Sequence, residues 1–144
     1  MVSSRMRQAQ QEIVIATRGQ GLAEFTHDAT AFVSASGIER GLLTVFVRHT
    51  SASVLIQENA DPDVQRDLLA FFKRLVPDGD PLFVHTAEGP DDMPAHVKAA
   101  LTATSVGIPV ANGRMVLGTW QGLYVFEHRT APHLRRVVLH LIGA

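Results

Sequence analysis

Apolar residues recur along this chain at two periods, one of two residues and one of three to four. Ile13 and Ile15 sit two apart among polar neighbours in Glu12–Thr17, which predicts a strand with one apolar face. After the Arg18-Gly19-Gln20-Gly21 turn, Leu22–Thr26 suits a second short strand. Gly41–Val47 and Ser53–Gln57 are denser apolar runs and predict two more. Val106–Val110, Met115–Leu117, Leu123–Glu127 and Arg135–Ile142 complete the strands. Asn112-Gly113 between two of them predicts a tight hairpin, because both residues accept positive φ.

The longer period marks three helices. Asp28 is placed to cap one over Ala29–Ser36, with Gly37 ending it. Asp61-Pro62 opens a second, whose apolar stripe is Val64, Leu68, Leu69, Phe72 and Leu75. Asp91 or Asp92 caps a third that runs to about Ser105, and Pro94 is tolerated in its first turn. These helices interrupt the strands without a regular β-α-β alternation. The expected class is therefore α+β, a mainly antiparallel β-sandwich with about three helices.

The length, 144 residues, fits one domain, with residues 1–10 expected as a flexible leader and 11–144 as the folded unit. Net charge is −1, which gives no general attraction to nucleic acid or an anionic membrane. The N-terminus has no apolar central region of the secretory kind, and no apolar run approaches the roughly 20 residues of a membrane helix. Cysteine is absent, so disulfide and thiolate chemistry are excluded. Together these lead to the expectation of a soluble, cytoplasmic protein.

Candidate chemistry gathers where polar segments break the apolar runs. Arg48-His49-Thr50-Ser51-Ala52-Ser53 places an imidazole, a guanidinium and hydroxyls between two strands. His85 and His96 flank a polar segment containing Gly89, Pro90 and Pro94, and His96 falls near a helix N-terminus, which disfavours imidazolium. Neutral imidazole is the form that binds a metal, and three imidazoles plus water make an open zinc arrangement. A lone His at a strand end is also an ordinary surface residue, and these three do not form a local zinc motif. Glu58-Asn59-Ala60-Asp61 reads as a capping sequence, or as a source of groups that orient a His. Gly118-Thr119-Trp120-Gln121-Gly122 holds the sole Trp, which suits either core packing or a pocket wall with Gln121 supplying hydrogen bonds. Glu127, on the same face as Arg129, is a candidate general base or partner to an imidazole, or half of an exposed ion pair. Alternation sends Arg135 and Arg136 to opposite faces of the last strand, so that one can bind an anion. His27, His133 and His140 have no companion features and read as structural or exposed.

Taken together, His49-Thr-Ser-Ala-Ser, Glu58-Asn-x-Asp, His85 with Glu88-Gly-x-Asp-Asp-Met-Pro-x-His96, Ser105-Val-x-Ile-Pro-Val, Gly118-Thr-Trp-Gln-Gly and Glu127-His-Arg resemble the YjbQ-like family, from about Gln11 to Gly143. The resemblance implies an α+β sandwich assembled as a homotrimer. It implies a divalent metal, zinc first, on His49, His85 and His96. It also implies a thiamine-phosphate synthase activity, regarded as secondary, that joins hydroxymethylpyrimidine diphosphate to thiazole phosphate and releases pyrophosphate. On that reading Thr50, Ser51, Asn59, Trp120, Gln121, Arg129 and Arg135 are the expected substrate contacts, with Glu127 the catalytic group. The chain lacks a Gly-rich phosphate loop and a carboxylate cluster for Mg²⁺, so arginines, backbone N–H groups and the His-bound metal would have to meet the phosphates. Two other functions fit the same residues. One is a non-catalytic metal- or ligand-binding trimer. The other is a zinc-dependent phosphoester hydrolase in which Glu127 handles the proton.

Overall fold

The computed structural model describes residues 5–144. Its elements in chain order are β1 (Arg7–Ala16), β2 (Gly21–Glu24), α1 (Thr26–Ser36), β3 (Gly41–Val47), β4 (Ala52–Glu58), α2 (Pro62–Leu75), α3 (Asp92–Leu101), β5 (Ser105–Ala111), β6 (Arg114–Met115), β7 (Gln121–Glu127) and β8 (Leu134–Gly143). The strands form two sheets, β1-β8-β3-β5-β6 and β2-β7-β4. Every pairing in them is antiparallel. This is the expected α+β sandwich with three helices.

Alternation explains which faces meet. Leu43, Val45 and Val47 of β3, Val137, Leu139 and Leu141 of β8, and Ile108 and Val110 of β5 point inward from the larger sheet. They meet Ala52 and Val54 of β4 and Leu123 and Val125 of β7, while α1 adds Ala29, Phe32 and Val33. The other face of the larger sheet carries Leu42, Phe46 and Ile142, each more than two-fifths exposed.

Local signals set most boundaries. Asn112 and Gly113 adopt φ of 55° and 72°, the primed turn that joins β5 to β6. The Asp61 side chain accepts from the Asp63 N–H at 2.9 Å, and Pro62 begins α2. Gly37 ends α1 at φ 70°. α1 nevertheless starts before the expected cap: Phe25 stands at the N-cap without a side-chain bond, and Asp28 lies in the first turn, where its charge suits the helix dipole.

Three expectations are corrected. The leader assigned to residues 1–10 is strand from Arg7 onward, because β8 extends to Gly143 and offers Arg7–Gln10 a full set of pairing partners. Residues 1–4 lie outside the described residues. α3 stops at Leu101, short of Ser105, since Thr102 turns to extended backbone and β5 begins at Ser105. The stripe of α2 is only half covered: no residue of α2 is buried, and Phe72 meets Phe126 edge-on with centroids 5.3 Å apart.

Candidate metal centre

The N-terminal turn of α3 and the loop before it place His85, Asp92 and His96 together, one ligand atom from each lying within 4.8 Å of the others. Asp92 and His96 are four apart on α3 and so share a helix face. Asp92 is buried, yet its Oδ2 has no hydrogen-bond partner. That oxygen lies 2.7 Å from His85 Nε2, and its sister Oδ1 lies 3.2 Å from His96 Nε2. The two rings stand 5.4 Å apart between centroids. His96 Nδ1 contacts the Thr50 carbonyl oxygen at 2.9 Å. A carbonyl can only accept, so Nδ1 carries a hydrogen, which leaves Nε2 as the nitrogen that can offer a lone pair to a metal. His85 comes from the 79–90 loop, whose ends are joined by the Gly79 N–H donating to Pro90 O at 3.0 Å.

His49 stands outside this group. Its Nε2 accepts the Arg136 backbone N–H at 2.8 Å, so the lone pair expected to face a metal is in use. Burial first, and then the Arg135 charge, push the His49 pKa down and keep the ring neutral. The position expected for a third imidazole is occupied by Asp92, which the sequence presents as a helix cap. The signal that marks it is the Asp-x-x-x-His spacing on one helix.

A buried carboxylate underlies the centre. Glu127 ends β7 and accepts from Thr17 Oγ1 at 2.6 Å, from Arg135 Nε at 2.8 Å, from Arg135 Nη2, and from the Arg129 N–H at 3.1 Å. Burial raises its pKa, but Arg135 and the other donors outweigh that and hold it below the usual carboxylate range. With its acceptor directions filled, Glu127 is an anchor; the free-base role expected of it has no open lone pair to work with. Arg135 is buried in this pair and also donates to Ser51 O at 3.2 Å and Ser51 Oγ at 3.0 Å. Arg136 is exposed, the opposite-face placement expected, and pairs with Glu12 at 3.0 Å. Arg129 donates to Asp91 at 2.9 Å and to Asp92 Oδ1 at 3.2 Å. Burial raises the Asp91 carboxyl, and Arg129 with the Thr130 N–H more than offsets this, holding it at about 2.

Asn59, Trp120 and Gln121 are not brought to the centre. Glu58 pairs with Gln121 at one end of β4 and β7, and Ala52 with Glu127 at the other. Six residue steps of strand separate these ends, about 20 Å. Trp120 is 62% exposed, Gln121 accepts the Gly118 N–H at 2.7 Å, and Glu58 caps the Asp61 N–H at 3.1 Å. Thr50, by contrast, touches the group through its carbonyl on His96, and Ser51 next to it is held by Arg135.

A second polar cluster escaped the sequence reading. Ser53 Oγ lies 2.8 Å from His128 Nε2 and also bonds Thr102. His128 Nδ1 has no partner, and burial first, then the Lys98 charge, push this ring down to about 3. Ser53, His128 and Lys98 are each almost wholly buried, closed to any substrate. No helix of the described residues is long and apolar enough to cross a membrane.

The antiparallel sandwich with three helices defines the fold class. The model of the UPF0047 protein YjbQ-like family matches residues 11–144, and the chain belongs to that family. A UPF0047 protein of Synechocystis sp. is 54% identical over 99% of both chains. The UPF0047 protein YjbQ of Salmonella typhimurium is 38% identical over 93% of this chain and 97% of its own. Among solved structures, an uncharacterised YjbQ/UPF0047 family protein of Clostridium acetobutylicum matches with a TM-score of 0.80 and 38% identity, covering 89% of this chain and 97% of that one. A YbjQ-like protein of unknown function from Sulfolobus solfataricus has a TM-score of 0.88 at 23% identity, covering 97% and 100%, a likeness of fold.

Proposed function

We propose that the protein is a divalent-metal-dependent enzyme acting on a small phosphorylated substrate, with the ion held by His85, Asp92 and His96. The observation that carries this reading is the convergence of one ligand atom each from His85, Asp92 and His96 within 4.8 Å, around a buried Asp92 Oδ2 that has His85 Nε2 at 2.7 Å facing it and no other partner. A buried carboxylate oxygen is costly unless a donor or a cation meets it, and two imidazoles beside it can share a cation with it. The donor set suits zinc, which takes imidazole nitrogen and carboxylate oxygen, and the three ligand atoms lie within 4.8 Å of one another. Thr50 O fixes the His96 tautomer, the usual outer support of a ligating imidazole. His85 is half exposed, which leaves a side of the ion open to substrate.

Bound there, a divalent ion supplies Lewis-acid polarisation of a phosphoryl or leaving-group oxygen. The chain's own residues do the rest. Thr50 is exposed beside His96, and Ser51 Oγ, which accepts from Arg135, keeps its proton to donate to an anion. Arg129 and Arg135, expected to bind phosphate, are already engaged by carboxylates. A cavity of about 290 Å³ adjoins His85, lined by Phe83, Met93 and Pro94 among others, with room for the organic part of a small substrate. Thiamine-phosphate synthesis from the hydroxymethylpyrimidine diphosphate and thiazole phosphate is the activity to test first. A homotrimer belongs to the same reading, and the exposed Leu42, Phe46 and Ile142 of the larger sheet support it.

The experiment is elemental analysis of dialysed protein, then assay of the zinc-loaded form on the thiamine precursors and on simple phosphoesters. Stoichiometric metal lost in Asp92→Asn, with turnover of either substrate class, is expected. Equal metal content in wild type and Asp92→Asn overturns the site.

A further inference from the structure

Arg129 lies two residues past Glu127, and its guanidinium joins the two segments that supply the ligand atoms. Nε donates to Asp91 Oδ2 at 2.9 Å and Nη1 to Asp92 Oδ1 at 3.2 Å, both at the start of α3. Nη2 donates to the Glu88 carbonyl at 2.9 Å, in the 79–90 loop that carries His85. The Glu88 carboxylate stands 3.6 Å from Nη1. The Arg129 side chain is only 13% exposed, so these bonds work at lower dielectric than a surface pair. Its own backbone is tied to the buried Glu127. The rigid fork of guanidinium donors suits three acceptors on two segments, as the point charge of a lysine does not.

We propose that Arg129 is a positioning residue that clamps the His85 loop against the start of α3 and so sets the spacing of the three ligand atoms. The proposal rests on the metal reading of His85, Asp92 and His96. It assigns Arg129 a task other than gripping substrate phosphate. By holding Oδ1, the guanidinium turns the free Oδ2 of Asp92 toward His85. By holding Glu88 O, it stops the loop from carrying His85 away.

Cobalt(II) is the probe. Its affinity and visible absorption are compared in wild type, Arg129→Gln, Arg129→Lys and Thr130→Val. The last removes a 3.2 Å hydroxyl bond to Asp91 but touches neither Asp92 nor the loop. Arg129→Gln is expected to weaken cobalt binding about 10- to 100-fold and to shift the spectrum, the usual effect of losing an outer-shell partner. Arg129→Lys should recover only part, and Thr130→Val should match wild type within about twofold. Chymotrypsin gives a metal-free readout: cleavage at Leu82 or Phe83 should be several-fold faster in Arg129→Gln. Where Arg129→Gln does not fold, Arg129→Lys carries both measurements. Wild-type cobalt affinity and spectrum in the Arg129 variants overturn the proposal, most sharply if inorganic phosphate binding alone falls. Failure of wild type to bind cobalt overturns the metal reading instead, and the protease result then judges the loop clamp by itself.

Discussion

The two ends of β7 are built by opposite rules. At the Glu127 end, a buried carboxylate collects Thr17, Arg135 and the Arg129 backbone, and through them the 48–51 segment and α3. At the Gln121 end, the Trp120 and Gln121 side chains are exposed, and Gln121 Oε1 accepts from Gly118 of its own turn. Both ends carry residues that suggest chemistry on paper. Only the first surrounds its side chains with groups that fix their tautomer, ionisation and direction. A ligating constellation needs that support, and the contrast is the reason for proposing the centre at the Glu127 end.

The largest expected effect tests the centre directly. His96→Ala should abolish tight zinc binding by isothermal titration, while His133→Ala, outside the group, should leave it intact. Unchanged binding in His96→Ala would remove the centre from this end of the sheet.

Next comes the anchor. Glu127→Gln leaves Arg135 buried opposite a neutral amide and should cost about 3–5 kcal/mol in a denaturant titration. A loss below about 1 kcal/mol would mean that the two ends of β7 are equally tolerant.

The pH dependence follows from His128. Its folded pKa, about 3, lies below the ordinary value near 6.5, so the unfolded chain takes up a proton that the fold refuses. The contribution is fully present above about pH 6.5 and declines by about 1.4 kcal/mol per pH unit as pH falls toward 3. Asp91, held at about 2, adds a further loss below about pH 4. Stability curves of His128→Gln should be flatter than wild type between pH 6 and 4. Identical slopes would contradict the burial of a neutral ring.

Smaller effects belong to the outer helix and the far end. Phe72→Ala removes a half-buried ring with an edge contact on Phe126, and should cost about 2 kcal/mol, less than a fully buried Phe. Trp120→Ala should change stability in a denaturant titration of the assembled protein by less than about 0.5 kcal/mol. A larger change would show that Trp120 is covered, as contact with a second copy of the chain would do.

The sequence made the sandwich legible where local chemistry and burial agree. The limits of β3 follow from its apolar run, the β5–β6 hairpin from Asn112-Gly113, and the start of α2 from Asp61-Pro62. The first part of β1 was hidden because Arg7, Gln8 and Gln10 are polar and exposed, and their strand geometry comes from pairing with β8. At the centre, His85 and His96 were legible from their polar flanks. Asp92 was masked because an aspartate at a helix start satisfies local rules without any ligand. His49 falls outside the group with its Nε2 accepting the Arg136 N–H, and a strand-end imidazole shows in sequence its position but not the direction of its lone pair. The burial of Glu127 depends on Thr17 and Arg135, distant in sequence, and no local period reports it.

The pairing of Arg7 with Gly143 places the two described ends of the chain side by side. Leu134, at the other end of β8, lies some 30 Å away by strand length, next to the buried Arg135 and the His/Asp/His end. A support or fusion partner attached beyond either terminus would therefore stand behind the molecule, with the candidate centre facing outward. The same adjacency makes the chain a natural subject for circular permutation: a short linker closing the old ends, with new ones opened at Asn112-Gly113, would reorder the strands in sequence while leaving every pairing partner of β8 in place.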